Sequence, residues 1–363
     1  MVATFAGRRT HRWNGDRGPD EAALVTAAAG GSEEAFRRLV EPLGPELALL
    51  SYRMLGSFHD AEDVLQEARL KAWRGLERYD GRASFRTWMY RIVTNATLDA
   101  LRSRRRRVLP QDLGAPREAA AGLGEQRHDI EWLEPCPGAA WAGLDPAEAA
   151  ELSESVRLAF VKALQILPPK QRAVLILSDV LDWPAAEVAT ALGTSVPAVN
   201  SALQRARATV ANRHGTAAGR HARCDRADRA LLDPRKADLA ARYVSAWEAG
   251  DIEAVVSMLT DEATHAMPPW AAWFAGRDTL RTLYASYEIW DGRPRPGLFR
   301  VLPLELNGDL GFAEYCRSAP DRPYEALALT IATLDPAGSR IADKVSFVSP
   351  DLFGRMGLPR TTD

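Results

Sequence analysis

The 363 residues are 46% apolar and 26% charged with a formal net charge of −2, which is too long for one ordinary core and suggests two or three domains. That near-neutral total would argue against a nucleic-acid partner if the charge were even, but it is not: residues 33–107 carry +4, 108–150 carry −6, 151–230 carry +4, 231–363 carry −5 and the first 32 carry +1. Three scattered cysteines, Cys136, Cys224 and Cys316, support neither a disulfide framework nor a zinc site, and no apolar run approaches the roughly 20 residues of a membrane helix. A cytoplasmic protein with no membrane association, no metal and no cofactor is the expectation.

Taken in chain order, residues 1–32 are polar and Gly-rich without a sustained period and read as a mobile extension. Residues 33–107 are strongly helical, broken near Gly56 and Gly81. In the run Asp60-Ala61-Glu62-Asp63-Val64-Leu65-Gln66-Glu67, a helix puts Asp60, Asp63 and Glu67 on one face and Ala61, Val64, Leu65 and Ala68 on the other. Such an acidic face is either a solvated surface or a dock for a basic partner; no His stands where it would make a metal or acid/base site. Between Tyr79 and Asn95, aromatics and arginines interleave around a Gly turn, a composition that suits stacking on unpaired bases and neutralising phosphates. Trp88 and Ile92, one turn apart, read as core by their spacing, and Tyr79 and Asn95 are the better candidates for direct contact. Arg102, Arg104, Arg105, Arg106 and Arg107 close the helix, where cations suit the helix dipole and backbone phosphate alike.

Residues 108–150 form an acidic, Ala/Gly/Pro-rich linker with one apolar island, Trp132-Leu133-Glu134-Pro135. Helical periodicity resumes over 151–214. There Ala185, Val188, Ala189 and Leu192 make an apolar stripe, Gly193 suits a C-cap, and Ser195 caps a second helix with Val196, Val199, Leu203 and Ala206 inward. The outward Asn200, Ser201, Gln204, Arg205 and Arg207 are types that contact phosphates or base edges, the pattern of a helix-turn-helix. A basic connector follows at 215–234. Residues 235–363 change character to a helix, aromatic-rich segments and alternating runs at Phe299 to Leu304, Leu310 to Cys316, Ala326 to Leu334 and Ile341 to Phe347, an α+β pattern with an antiparallel sheet.

The stretches DAEDVLQE, YDGRASFRTWMYRIVTNATLDALRSRRRR and LPPKQRAVLILSDVLDWPAAEVATALGTSVPAVNSALQRAR resemble regions 2 and 4 of the extracytoplasmic-function (ECF) sigma factors of bacterial RNA polymerase. The resemblance implies a non-enzymatic initiation factor whose partners are core polymerase and promoter DNA, both duplex and melted strand. It assigns Asp60, Asp63, Gln66 and Glu67 to core polymerase, and Tyr79, Gly81, Arg82, Ser84, Trp88 and Asn95 to the minus-ten element. Ala198, Asn200, Ser201, Gln204 and Arg205 fall to the minus-thirty-five element. Many relatives carry Arg where Asn200 stands and Gly where Pro197 stands, so no promoter sequence transfers.

The last third resembles SnoaL-like, ketosteroid-isomerase-like domains. The implied fold class is multidomain: two all-α sigma domains, the second a helix-turn-helix, joined by a linker and followed by an α+β cone. The resemblance places a pocket for a small apolar ligand at His265, Met267, Trp270, Trp273, Tyr284 and Tyr287, with Phe274 and Trp290 nearby. Each of these residues taken alone reads as core first, and Asp261, Asp278 and Glu314 are the carboxylates available to a catalytic version, though sequence does not place them beside an oxyanion donor. Sigma factors with such a tail form a subgroup in which it regulates activity, and the island at Trp132 to Pro135 resembles a linker motif of that subgroup. A monomer acting on the polymerase is expected. Two rivals stay open: a ligand-responsive helix-turn-helix repressor, and an isomerase or cyclase with a DNA-binding appendage.

Overall fold

The computed structural model describes residues 19–141, 155–214, 234–286 and 296–363. Residues 1–18, the connector at 215–233, and Tyr287 and Trp290 of the expected pocket lie outside these. The chain divides into two compact units, one of Met1–Arg106 with Ala163–Ala217, the other of Arg107–Lys162 with Ala218–Asp363.

The first unit is helical. The segment read as a mobile extension holds a helix, α1 (Pro19–Ala29), followed by α2 (Glu33–Val40), α3 (Gly44–Leu55), α4 (Phe58–Gly75) and α5 (Phe85–Arg102). The boundaries follow local chemistry. Ser32, Ser57 and Ser84 each accept a hydrogen bond from a backbone N–H three residues on, capping α2, α4 and α5. Gly56 ends α3 in the left-handed conformation, at φ 72°. Leu47, Leu50 and Met54 of α3 and Ala61, Val64, Leu65, Ala68 and Ala72 of α4 recur at helical spacing and are buried together with Phe85, Met89 and Val93 of α5.

Helix α6 (Leu158–Leu164) carries the chain from the second unit into the first, where α7 (Pro169–Leu175) runs on through one π turn at Ile176–Val180. Next come α8 (Ala185–Leu192) and α9 (Val196–His214). Gly193, at φ 59°, terminates α8, and Thr194 N–H closes the turn on Ala189 C=O at 2.9 Å. Val188, Ala189, Val199 and Ala206 are buried at the helix-turn-helix core.

The second unit carries α10 (Pro234–Ala249), α11 (Ile252–Ser257), α12 (Arg277–Ala285), α13 (Asp351–Arg355) and a seven-stranded sheet. The strands are β1 (Leu259–Ala266), β2 (Trp273–Ala275), β3 (Phe299–Leu306), β4 (Asp309–Cys316), β5 (Tyr324–Leu334), β6 (Ile341–Phe347) and β7 (Thr361–Thr362). Their order is β2-β1-β6-β5-β4-β3, with β7 alongside β5, and β1 pairs β6 in parallel while the other pairs are antiparallel.

The expected closed cone is not formed. The sheet is open, with β2 and β3 as its two ends, and these do not pair. The geometry explains why. A closing pair needs two edges of matching length, and β2 has three residues against eight in β3. The β3 edge is also blocked, by Pro303 within it and by an antiparallel bridge from Pro137 to Leu306. At the inner strand β4 both faces are covered instead. Seven of the eight residues of β4 are buried, so its two faces are both interior. On one face lie Tyr243, Trp247 and Tyr284 of α10 and α12, in one core with Phe299, Val301, Leu310 and Phe312.

Linker residues take part in the second unit. Trp273 Nε1 donates to Gly114 C=O at 2.8 Å, Arg117 N–H to Trp273 C=O at 2.8 Å, and Arg127 N–H to Pro269 C=O at 2.9 Å. The tightest fastening is at the turn between β3 and β4. Asn307, fully buried and at φ 53°, accepts from Cys136 N–H through its side chain at 2.8 Å and donates its own N–H to Cys136 C=O at 2.8 Å. Its Nδ2 donates to Val156 C=O at 2.6 Å. One side chain thus ties the linker at Cys136 and the chain just ahead of α6 at Val156 to a hairpin. Within the linker, Val108 bridges Trp132, and Arg107 pairs with Glu131 and Glu134.

Candidate functional site

Ser57 caps the start of α4, and burial of Ala61, Val64, Leu65 and Ala68 decides which of its acidic residues face outward. Asp63, Gln66 and Glu67 are exposed, with Asp63 3.6 Å from His59 and Glu67 2.7 Å from Lys71. Asp60 differs from them. It is buried and forms an ion pair with Arg104 of the basic run that follows α5. Glu62, on the same helix, is held above the usual carboxylate range, chiefly by burial. Exposed Leu70 extends the same outer surface.

The loop before α5 gathers the interleaved aromatics. Tyr79 donates its hydroxyl to Ala83 C=O at 2.6 Å, and its ring lies 5.2 Å from Trp88 and 6.1 Å from Phe85. Gly81 takes φ 67°, which a side chain would strain. Arg82 is exposed and pairs with Asp80, Ser84 caps α5, and Asn95 is exposed two turns beyond Trp88. Phe85 is core, whereas Tyr79 and Trp88 stay half-exposed. That combination leaves a supported, half-exposed aromatic pair that can stack on an unpaired base, with Arg82 exposed on the same loop.

On α9, Ala198, Asn200, Ser201, Gln204 and Arg205 are all exposed, and Arg205 donates to Ser201 Oγ at 2.5 Å. Arg207 pairs with Asp179 at 2.6 Å, which holds the helix from its other side. A helix so presented can lay amide and guanidinium groups against base edges in a major groove.

The residues expected to line a tail pocket are divided. His265, Met267, Phe274 and Tyr284 are buried, while Trp270 and Trp273 are half-buried and face the linker, Trp270 through a bridge to Gln126. Asp261 and Asp278 are surface partners of Arg277 and Arg281. Glu314 is interior: Tyr243 donates to it at 3.0 Å and Lys344 lies 3.7 Å away. The Lys344 ammonium sits about equally near three rings, 4.8 Å from Trp247, 5.2 Å from Tyr284 and 5.3 Å from Tyr243. Burial lowers the Lys344 pKa, and Glu314 opposes the shift. Sequence reading missed Lys344 because one lysine in a strand reads as an outward residue; only the pairing of β6 between β1 and β5 makes it interior.

His265 Nε2 lies 2.9 Å from Ser346 Oγ, and burial followed by Lys344 holds its pKa well below the usual value. In the unfolded chain the ring titrates near the ordinary value of about 6.5, so at lower pH the unfolded state binds the extra proton and gains on the folded one. Stability is therefore expected to fall as pH drops below about 6.5, by up to about 1.4 kcal/mol per pH unit for this group. Thermal unfolding of wild type and His265→Gln across pH 5 to 8 checks this: the difference between them should open on the acid side, and parallel curves would disprove it.

Comparison with known proteins turns these surfaces into an identity. Sigma-70 region 2 matches residues 39–107 and Sigma-70 region 4 matches residues 157–210. The chain is 43% identical over 326 residues to the ECF RNA polymerase sigma factor SigG of Mycobacterium tuberculosis, covering 89% of this chain and 84% of SigG. The chain belongs to the ECF sigma factors. It is also 30% identical over 325 residues to the ECF sigma factor SigJ of the same organism, covering 86% of this chain and 91% of SigJ. The crystal structure of SigJ matches with a TM-score of 0.55 at 25% identity, over 88% of this chain and 98% of that one. Like other sigma factors, this one is a non-catalytic initiation factor that binds core RNA polymerase and directs promoter recognition. In family terms α2 to α5 lie in or beside region 2, and α6 to α9 lie in the region 4 match. No helix among the described residues is long and apolar enough to cross a membrane.

Proposed function

We propose that this ECF sigma factor docks on core polymerase through Asp63, Gln66 and Glu67 and holds the melted minus-ten strand with Tyr79, Gly81, Arg82, Ser84, Trp88 and Asn95. In the same reading it recognises the minus-thirty-five duplex with Ala198, Asn200, Ser201, Gln204 and Arg205. The observation that carries this assignment is that each set stands exposed or half-exposed on its own element, while Ala61, Val64 and Leu65 of α4, Phe85, Met89 and Val93 of α5, and Val199 and Ala206 of α9 are buried. Asp60 has a different part in it: paired with Arg104, it fixes the end of region 2 and leaves docking to its neighbours.

The C-terminal domain, SnoaL-like in its opening helices though not in closure of its sheet, acts in this proposal as a regulator. Its lever is the grip of Asn307 on the linker at Cys136 and on the chain ahead of α6 at Val156. The chain works as a monomer on the polymerase, and the tail holds no ligand, because Met267, Phe274 and Tyr284 are packed as core. A helix-turn-helix repressor would leave the acidic face of α4 and the aromatic loop before α5 without a task.

Run-off transcription with purified bacterial core polymerase, comparing the full chain with one ending at Ala230, tests both parts. Specific transcripts from either form are expected, with a different yield between them. Equal yield at every salt concentration would remove the regulatory role, and no transcript together with no polymerase binding would remove the sigma assignment.

A further inference from the structure

The arginine run that follows α5 is not disposed evenly. Arg102 pairs with Asp99 at 3.0 Å and stays exposed, Arg104 pairs with Asp60, and Arg105 and Arg106 are exposed. Arg107, the last of the run, is drawn out of solvent, its side chain only 11% exposed. Its Nη1 donates to Trp132 C=O at 2.5 Å and lies 3.6 Å from Glu134 Oε1, while its Nη2 lies 3.3 Å from Glu131 Oε2. Both terminal nitrogens of this guanidinium are therefore turned towards linker oxygens.

The segment that supplies those oxygens is held on both sides. Val108 N–H donates to Glu131 C=O and Leu133 N–H to Val108 C=O, each at 3.0 Å. Leu133 is fully buried, and Cys136, two residues past Glu134, is fixed by Asn307. A second arginine reaches the same carboxylate from the C-terminal domain, since Arg355 Nη1 of α13 lies 3.6 Å from Glu134 Oε1. Glu134 is thus placed between an arginine of the basic run and an arginine of the tail.

A guanidinium offers the same fork of N–H donors to a carboxylate and to a phosphate. The nitrogens that a DNA backbone would engage are here engaged already. A half-buried pair is screened by salt less than a surface pair, so DNA must displace Glu131 and Glu134 before Arg107 can contribute to binding. Seating of the segment itself does not require the two carboxylates, because Leu133, the Val108 bridge and Asn307 already provide it.

We infer that Arg107 is a phosphate-contacting residue of the promoter-binding surface, and that Glu131 and Glu134 occupy it in the free chain as stand-ins for backbone phosphate. The inference rests on the sigma assignment. Arg355 ties this mask to the C-terminal domain, because a movement of α13 displaces a partner of Glu134.

The test counts phosphate contacts. Each arginine that displaces counterions adds about 0.9 to the slope of log affinity against log salt on duplex DNA and about 0.7 on single strands. The probe is a labelled forked DNA carrying the minus-ten element of a promoter mapped by run-off transcription with this chain. It is titrated with the full chain, without polymerase, between about 50 and 200 mM salt. Replacing Glu131→Gln and Glu134→Gln together should steepen the slope by about 0.7–0.9 and tighten binding at the lowest salt at least about fivefold. Arg107→Gln alone should leave the slope within about 0.3 of wild type, and adding it to the double variant should restore the wild-type slope. Glu134→Gln alone, a milder change, serves if the double variant loses its cooperative thermal unfolding, and should steepen the slope in the same direction.

An unchanged slope in a folded glutamate variant would overturn the proposal. So would a steeper slope that persists when Arg107 is also replaced, since that marks a general relief of charge repulsion. An Arg107→Gln slope already shallower than wild type by about 0.7–0.9 would overturn it too, by showing that arginine in use all along. Absence of any transcript from wild type would instead remove the sigma assignment, and the proposal with it.

Discussion

Replacing Asp63 and Glu67 together by lysine is expected to weaken binding to bacterial core RNA polymerase by at least about a hundredfold, or about 2.7 kcal/mol. Both side chains are more than half exposed, so the change should leave the fold nearly untouched. Loss of the Glu67–Lys71 pair and its replacement by two like charges costs only a few tenths of a kcal/mol. Fluorescence anisotropy of the labelled chain against core polymerase measures the effect. Binding of the variant to minus-thirty-five duplex should stay within about threefold of wild type, since α9 is unaltered. An unchanged polymerase affinity would show that this face of α4 is a solvated surface.

Asp60→Asn separates docking from structure on the same helix. Asp60 is buried against Arg104, so neutralising it should lower thermal stability more than it lowers polymerase affinity. The two variants together distinguish an acidic residue that faces a partner from one that faces its own chain.

The second large effect is expected at Asn307. Truncation to Ala removes the acceptor for Cys136 N–H and the donor to Val156 C=O, and leaves a residue with a Cβ but no compensating side chain at φ 53°. Each unsatisfied buried group costs about 1–3 kcal/mol, so a loss of about 2–5 kcal/mol in the hold on the linker follows. Asn307→Gly relieves the backbone while still losing both side-chain bonds, and so isolates their share. Cys136 provides the readout, because it is fully buried in the wild type. Its labelling by a thiol reagent, followed by peptide mass mapping to separate it from Cys224 and Cys316, should accelerate at least about tenfold in either variant. In run-off transcription the same variants should shift yield in the direction of the chain ending at Ala230. If Cys136 stays as protected as in wild type, Asn307 is not what fastens the linker.

Much of this protein is set by local rules that can be read along the chain. Ser57 and Ser84 cap helices, Gly56 and Gly193 end them, and the spacing of Val64, Leu65 and Ala68 or of Val188, Val199 and Ala206 states which faces are buried. The same periodicity exposes Asp63, Glu67, Asn200 and Gln204, so the displayed surfaces of regions 2 and 4 were legible. The alternating runs likewise mark β3 to β6 to within a few residues.

What the sequence left undecided depends on contacts between residues far apart in it. Asp60 has the same chemistry as Asp63, and only the arrival of Arg104 turns it into a structural ion. The helix α1 sits in a stretch with no strong period. Closure of the sheet could not be judged from strand patterns, because it rests on the mismatch between β2 and β3 and on Pro137 occupying the β3 edge. Lys344 and Glu314 look like surface charges until β6 is placed between β1 and β5. The acidic linker reads as a connector because several of its backbone groups find partners far away in sequence, at Pro269, Trp273 and Asn307. Local propensity and periodicity determined the helices, their caps and their exposed faces; tertiary structure decided which charges were buried, which edges were blocked and where the linker was held, because those outcomes depend on partners brought together only by folding.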